Sequence, residues 1–146
     1  MDTAATISSS TLDATPRSRP ALQVAAIGAL AATVANVALW VAGRAADVGF
    51  RASPPVGDLD IQVGVVLVVL TTLLTFAAGS AVLALAARRS RRWVRIVMAA
   101  AAVFAVVSTG GPLSAAHDTA TGALLAAMHL LTGAAFVATA ARVRPR

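Results

Sequence analysis

Four long runs without a charged residue restrict what this chain can fold into. They are Ala21–Gly43, Ile61–Ala87, Ile96–His117 and Thr119–Ala141. A helix rises about 1.5 Å per residue, so about 20 apolar residues cross a hydrocarbon core roughly 30 Å thick. Each run is long enough, and none alternates apolar with polar positions as a barrel strand does. The sequence therefore predicts an all-α fold, an integral membrane four-helix bundle.

The composition also favours lipid as the solvent. Hydrophobic residues make up 58% of the 146 residues and charged residues 12%, whereas about a quarter of a soluble domain is charged. The chain contains no cysteine, which excludes disulfides and thiolate metal sites. The net charge of +6 comes from arginines at the ends of apolar runs rather than from a cationic face with stacking aromatics. We therefore expect anionic lipid headgroups, and no nucleic acid, as the partners of these arginines.

The arginines also predict which way the helices point. A cluster of five separates the second run from the third: Arg88, Arg89, Arg91, Arg92 and Arg95. With four spans, both tails lie on the face of this cluster, and only Arg44 and Arg51 lie on the opposite face. Cytoplasmic loops of membrane proteins carry the excess of positive charge. Both termini are therefore predicted to be cytoplasmic, in a bacterial cytoplasmic membrane.

The arginine cluster has two interpretations. As a solvated turn it determines topology and contacts anionic headgroups, with about 1 kcal/mol gained per arginine near such a surface. Trp93 beside it, and Trp40 on the other face, would then lie at headgroup level. The alternative is a docking site for an acidic cytoplasmic partner.

The predicted organisation is one transmembrane domain between two tails. Residues 1–20 are rich in Ser, Thr, Ala and Pro without apolar periodicity, which is typical of a disordered tail. Residues 143–146 form a basic C-terminal tail. The four-helix transmembrane domain is predicted over 21–142, with spans at about 21–43, 63–87, 94–111 and 119–141.

The connections between the spans carry local signals. The first, Arg44–Asp60, contains two prolines and two glycines that should break regular structure. Its segment Val48–Phe50 is expected either to dip into the membrane interface or to form an exposed turn. Gly110–Pro112 should end the third helix. Asp118 or Thr119 can then cap the fourth helix by accepting from its free backbone amides.

The order of these features resembles the bacterial four-span membrane proteins grouped as domain of unknown function 6069. The resemblance rests on Val41–Arg44 at the end of the first helix, Trp93 after the arginine-rich turn, Gly111–Leu113 and Ala127–Leu130. It covers roughly residues 21–142. It implies four spans and, because that family has no assigned activity, it implies no catalytic residues.

Polar groups inside a bilayer are costly unless paired, so they mark candidate sites. His129 lies about ten residues, roughly 15 Å, from the external end of its helix. Thr71 and Thr72 lie at a similar depth and Asn36 slightly further out, so the four residues define a candidate intramembrane polar layer. We expect a neutral His129 that faces the bundle interior and hydrogen bonds to Asn36 or to a second-helix threonine. Its role would be structural, or that of a proton relay or ligand contact.

No enzyme signature is present in the sequence. The chain lacks glutamate and cysteine, and the glycine-rich phosphate loops and paired acids of known catalytic motifs are missing. His117 and His129 lie too far apart in depth to share a metal ion. We therefore predict no enzymatic activity, no cofactor and no metal. The expected function is that of a structural or accessory membrane component, with another membrane protein or a second copy of the chain as partner; the alternative is a small-solute or proton-linked carrier that uses the polar layer around His129.

The predicted topology can be tested because the chain has no native thiol. Single cysteines at Ser53 and Ser114 should react with an impermeant maleimide added to intact cells, because both loops are predicted to be external. A cysteine at Ser90 should react only after the membrane is permeabilised. The opposite pattern would mean that the predicted orientation is inverted.

Overall fold

The computed structural model describes residues 21–53 and 59–142. Its elements, in chain order, are α1 (Ala21–Ala45), β1 (Arg51–Ala52), β2 (Ile61–Gln62), α2 (Val65–Arg89), α3 (Arg91–Val107), α4 (Gly110–Ala115) and α5 (Thr119–Ala140). Within these ranges, four helices are long and apolar enough to cross a membrane when α3 and α4 are counted together. The predicted four-span helical fold is confirmed. Both predicted tails lie outside the described residues.

The two ends of the bundle differ, and we name them by what they contain. The arginine end holds the turn between α2 and α3, where Ser90 alone separates the helices in extended backbone. The Ser90 amide still donates to the Ala86 carbonyl, which closes α2. The hairpin end holds β1, β2 and the connection from α4 to α5. Sequential spans run antiparallel, because α1 ends and α2 begins at the hairpin end, α2 and α3 join at the arginine end, and α4 leads into α5 at the hairpin end.

The prediction that Gly110–Pro112 ends the third helix is wrong in detail. Helix α3 ends at Val107, three residues earlier, and a turn leads directly into α4, which begins at Gly110. Pro112 is tolerated there because amides in the first turn of a helix have no intrahelical partner for proline to remove.

The predicted cap of the last helix is confirmed at Asp118. Its Oδ1 accepts from the Thr121 amide at 2.7 Å, and its Oδ2 accepts from the Thr121 hydroxyl at 2.7 Å. The backbone bond, followed by the hydroxyl bond, lowers the pKa of Asp118 from its ordinary value. The carboxylate is therefore held in the form that satisfies the start of α5.

A small antiparallel sheet covers the hairpin end. Strands β1 and β2 pair Arg51 with Gln62 and Ala52 with Ile61. Ala52 also bridges Ala116, and the Ser53 amide donates to the Ala115 carbonyl at 2.8 Å. The first connection is therefore tied to the end of α4 instead of crossing the surface freely.

The prediction that Val48–Phe50 dips into the membrane interface stays a prediction, whereas the alternative of an exposed turn is wrong for Phe50. Its side chain is 0% exposed, although its φ of 52° lies in the left-handed region that bulky residues avoid. The ring packs against Trp40, with centroids 6.1 Å apart, and Trp40 Nε1 donates to the Val63 carbonyl at 2.9 Å. Burial of the ring offsets the backbone strain. The hairpin-end cluster consists of Phe50, Val63, Val68 and Met128.

A second cluster fills the arginine end and includes residues from all four spans. Phe76 and Phe136 meet edge to face at its centre, with ring centroids 5.6 Å apart. The arginine-end cluster consists of Ala32, Phe76, Leu83, Ala86, Val94, Phe136 and Ala140. Helix α3 contributes Val94 here, but no residue of α3 belongs to the hairpin-end cluster.

Glycines allow the helices to approach closely where these clusters form. A Cβ added to Gly79 would lie 2.8 Å from a ring carbon of Phe136, and one added to Gly133 would overlap the Ala105 side chain. Small residues are what bring helices together in lipid, where burial of apolar surface gives little driving force. Gly133 therefore determines how closely α5 approaches α3.

The substitution Gly133→Ala is expected to lower the stability of the bundle by about 1–3 kcal/mol, the usual cost of overpacking, because the new methyl group collides with Ala105. The measurement is reversible unfolding in mixed detergent micelles followed by circular dichroism. Gly111→Ala is the matched control: it also removes a helical glycine, but its Cβ would meet nothing within 4 Å. Equal effects of the two substitutions would show that the α3–α5 approach does not limit stability.

A side-open cleft between α2 and α3

The main cavity of the described residues is a cleft of about 920 Å³ whose walls are α2 and α3 and whose floor is α5 with Asn36 of α1. It forms because α3 packs with the other helices at the arginine end and is separated from α2 towards the hairpin end. Val82 is 52% exposed and Phe104 is 66% exposed, and both line the cleft. The cleft therefore opens sideways between the two helices, in the direction of the surrounding lipid.

Asn36 connects three helices at the floor of the cleft. Its side chain is 2% exposed. Nδ2 donates to the hydroxyl of Thr72 on α2 at 2.9 Å and to that of Thr132 on α5 at 2.8 Å. Interhelical hydrogen bonds of this kind contribute about 0.6 kcal/mol each in membrane bundles. Of the predicted polar layer, the structure thus brings together Asn36 and Thr72.

The orientation of the Asn36 amide follows from the threonines. The Thr72 hydroxyl donates to the Val68 carbonyl at 2.7 Å, and the Thr132 hydroxyl donates to the Met128 carbonyl at 2.8 Å. Since each hydroxyl has already used its proton, only the NH₂ side of the amide can face them. Oδ1 of Asn36 then remains buried without a hydrogen-bond donor among the described residues.

The predicted bond from His129 to Asn36 or to a second-helix threonine is wrong. Nδ1 of His129 lies 2.8 Å from the Leu125 carbonyl, one turn earlier on the same helix. A carbonyl only accepts, so Nδ1 donates to it, and Nε2 is an acceptor whenever the ring carries a single proton. The side chain is exposed and lines the cleft. His129 reaches the Leu125 carbonyl without any change in the position of α5. Both protons of the Asn36 amide are bonded to Thr72 and Thr132, so Asn36 has no donor left for His129.

Thr71 lines the cleft without joining the Asn36 network. Its hydroxyl donates to the Leu67 carbonyl at 2.7 Å. Ser108, on the opposite wall, bonds in the same way to the Ala105 carbonyl at 3.2 Å. Sequence reasoning did not include Thr132 in the polar layer, although its position one turn beyond His129 on a predicted span was the signal that could have revealed it.

A second polar group lies outside the cleft, at the hairpin end. His117 Nε2 is 2.8 Å from the Ser53 hydroxyl and 3.6 Å from Oδ1 of Asp60. A catalytic triad needs the acid on the other ring nitrogen, to orient the base, so this geometry does not activate Ser53. Among residues 21–53 and 59–142, no group of three or more His, Asp or Glu side chains has the geometry to hold a metal ion.

The arginine cluster is exposed at the turn between α2 and α3. All five of its guanidinium groups belong to exposed residues, and Trp93 beside them is 53% exposed. None of the five arginines forms an ion pair with another described residue. Their charges are therefore directed outward, away from the helix packing.

These features define a class of protein: a four-span helical membrane bundle with a closed hairpin end and a cleft in its side. A family model described as "Family of unknown function (DUF6069)" matches residues 16–146, and the chain belongs to that family. The resemblance inferred from the sequence is thereby confirmed. No curated protein and no solved structure matches the chain.

The Asn36 network predicts that replacing Asn36 lowers the unfolding free energy less than replacing its partner Thr72. Asn36→Leu removes two interhelical hydrogen bonds but also removes the unpaired Oδ1, so the unfolding free energy should change by less than about 1 kcal/mol. Thr72→Val should cost more, about 1–3 kcal/mol, because it leaves a buried N–H of Asn36 without an acceptor. The measurement is unfolding in mixed micelles.

The matched control for that pair is Thr71→Val. Thr71 is adjacent to Thr72 and bonds only within α2, so its replacement should have little effect. A larger loss for Asn36→Leu than for Thr72→Val would contradict the account of the network.

Proposed function

We propose that this chain is a non-enzymatic accessory protein of the bacterial cytoplasmic membrane that holds a small lipid-soluble molecule in the cleft between α2 and α3. The observation that carries the proposal is the cleft itself. Its volume of about 920 Å³ lies within the range of about 300–1,000 Å³ typical of small-molecule sites. Its mostly apolar wall with a few polar groups is also the usual composition of such sites.

The shape of the cleft favours a small molecule over a partner helix as its occupant. A transmembrane helix would need a groove open along the full height of the bundle. Here the arginine-end cluster holds α3 against α2 through Leu83 and Val94, and the hairpin covers the other end through the bridge from Ala52 to Ala116. Entry remains from the side, where a molecule already dissolved in the bilayer would arrive.

The arginine cluster supports the orientation that completes this proposal. With both termini in the cytoplasm, the five exposed arginines lie at the inner surface, where anionic headgroups attract them. The same exposure is compatible with an acidic cytoplasmic partner. The covered hairpin end would then face outward, so that the cleft communicates with lipid rather than with the external solution.

A carrier remains the second candidate because His129 is the one ionisable side chain among the described residues that line the cleft. An ionisable group at this depth is characteristic of proton-coupled transport. Against a carrier stands the absence of a carboxylate from the part of the cleft wall that the structure describes. Proton movement into proteoliposomes that disappears in His129→Leu would favour the carrier over the accessory role.

Filling the cleft tests the proposal directly. Ala100 lines the α3 wall, and Ala100→Phe should exclude a bound molecule by occupying its space. We expect native mass spectrometry of wild-type protein, purified from its own membrane in mild detergent, to detect a retained apolar adduct. The adduct should be lost, or reduced at least tenfold, in the variant.

Ala99→Phe is the matched control, because Ala99 is the preceding residue, is also exposed, and does not line the cleft. It should retain the adduct at the wild-type level. Wild-type protein without an adduct, or equal loss in the two variants, would contradict the proposal.

A further inference from the structure

The polar side chains of the cleft share one property: they present acceptors and almost no donors. The hydroxyl protons of Thr71, Thr72, Thr132 and Ser108 are all bonded to carbonyls of their own helices. Both protons of the Asn36 amide are also used. Thr75 is the exception among the described wall residues, since its hydroxyl makes no hydrogen bond.

Two acceptors in this cleft lack a donor within the described residues. Nε2 of His129 is free because Nδ1 is bonded to the Leu125 carbonyl, and the exposed ring lines the cleft. Oδ1 of Asn36 is buried at the floor with no partner. An acceptor removed from water and left unpaired is costly, and hydrocarbon supplies no donor to relieve it.

We propose that the cleft selects a neutral lipid-soluble molecule that carries a hydroxyl group, which donates its proton to Nε2 of His129. This inference rests on the proposed function and specifies the chemical class of the ligand. The apolar part of the molecule would lie between α2 and α3, against residues such as Val82 and Phe104.

The charges of the wall exclude the other ligand classes. Among the described residues no carboxylate lines the cleft, so a fixed cation would enter an apolar site without a counter-charge from them, which is strongly unfavourable. An anion or an ether oxygen would find a donor only in the Thr75 hydroxyl and would leave Nε2 of His129 without a proton donor. A neutral donor satisfies the free acceptor without either cost.

Competition between an alcohol and its methyl ether measures how much the hydroxyl proton of the ligand contributes to binding. The protein in lipid nanodiscs is photolabelled with a long-chain alcohol that carries a diazirine in its chain, and labelled peptides are mapped by mass spectrometry. The competitors are dodecan-1-ol and 1-methoxydodecane, which share chain length, but only the first donates. In the wild type we expect the alcohol to compete roughly two- to tenfold better than the ether, the usual contribution of one hydrogen bond.

Variants at His129 assign that preference to one atom. In His129→Leu, the alcohol and the ether should compete equally, while labelling of the α2 and α3 walls continues. His129→Gln keeps an amide oxygen as acceptor and should restore part of the preference. Because the His129 side chain is exposed and its hydrogen bond is to its own helix, neither variant removes a hydrogen bond between helices.

The outcomes separate this inference from the proposed function. Equal competition by alcohol and ether in the wild type would overturn the hydroxyl assignment, although labelling confined to the cleft would still support a lipid-soluble ligand. A preference that persists in His129→Leu would also overturn it. Labelling spread evenly over all lipid-facing helix surfaces would overturn the proposed function and the inference together.

Discussion

Lipid as the solvent is the constraint on which the rest of this structure depends. In hydrocarbon, apolar surface gains little by being buried, so helices associate through close contact and through hydrogen bonds that lipid cannot provide. Gly79 against Phe136 and Gly133 against Ala105 supply the first, and Asn36 bonded to Thr72 and Thr132 supplies the second. Where neither is available, between α2 and α3 towards the hairpin end, the helices separate and the cleft forms.

The same constraint explains the chemistry of the cleft. A hydroxyl in a membrane-spanning helix finds its nearest acceptor in the carbonyl one turn earlier in its own helix, as those of Thr71 and Thr72 do. This local bond uses the proton and leaves the oxygen lone pairs exposed. A cleft wall made of such residues therefore offers mainly hydrogen-bond acceptors. His129 behaves in the same way: Nδ1 is bonded to the Leu125 carbonyl one turn earlier, and Nε2 has no hydrogen-bond partner among the described residues.

The sequence was sufficient to predict features determined by one segment at a time. Uninterrupted apolar runs predicted the four spans. A short side chain with a hydrogen-bond acceptor just before an apolar run predicted the Asp118 cap, which is confirmed. Features that depend on two distant segments were not predictable. Phe50 is buried against Val63, Val68 and Met128, which are distant from one another or from Phe50 in the sequence. Asn36 bonds to Thr132 and not to His129, which depends on how α1 and α5 face each other. The cleft forms because α3 and α2 are separated towards the hairpin end. No pattern of residues in the sequence predicts a contact that is not made.

The turn at Ser90 has a mechanical consequence. Only this residue separates α2 from α3, and both helices are continuous on either side of it. A rotation of α3 about Ser90 would change the distance between α2 and α3 without breaking either helix. Because Ser90 lies among the five exposed arginines, a charged group that binds those side chains would act at the point where the two helices join.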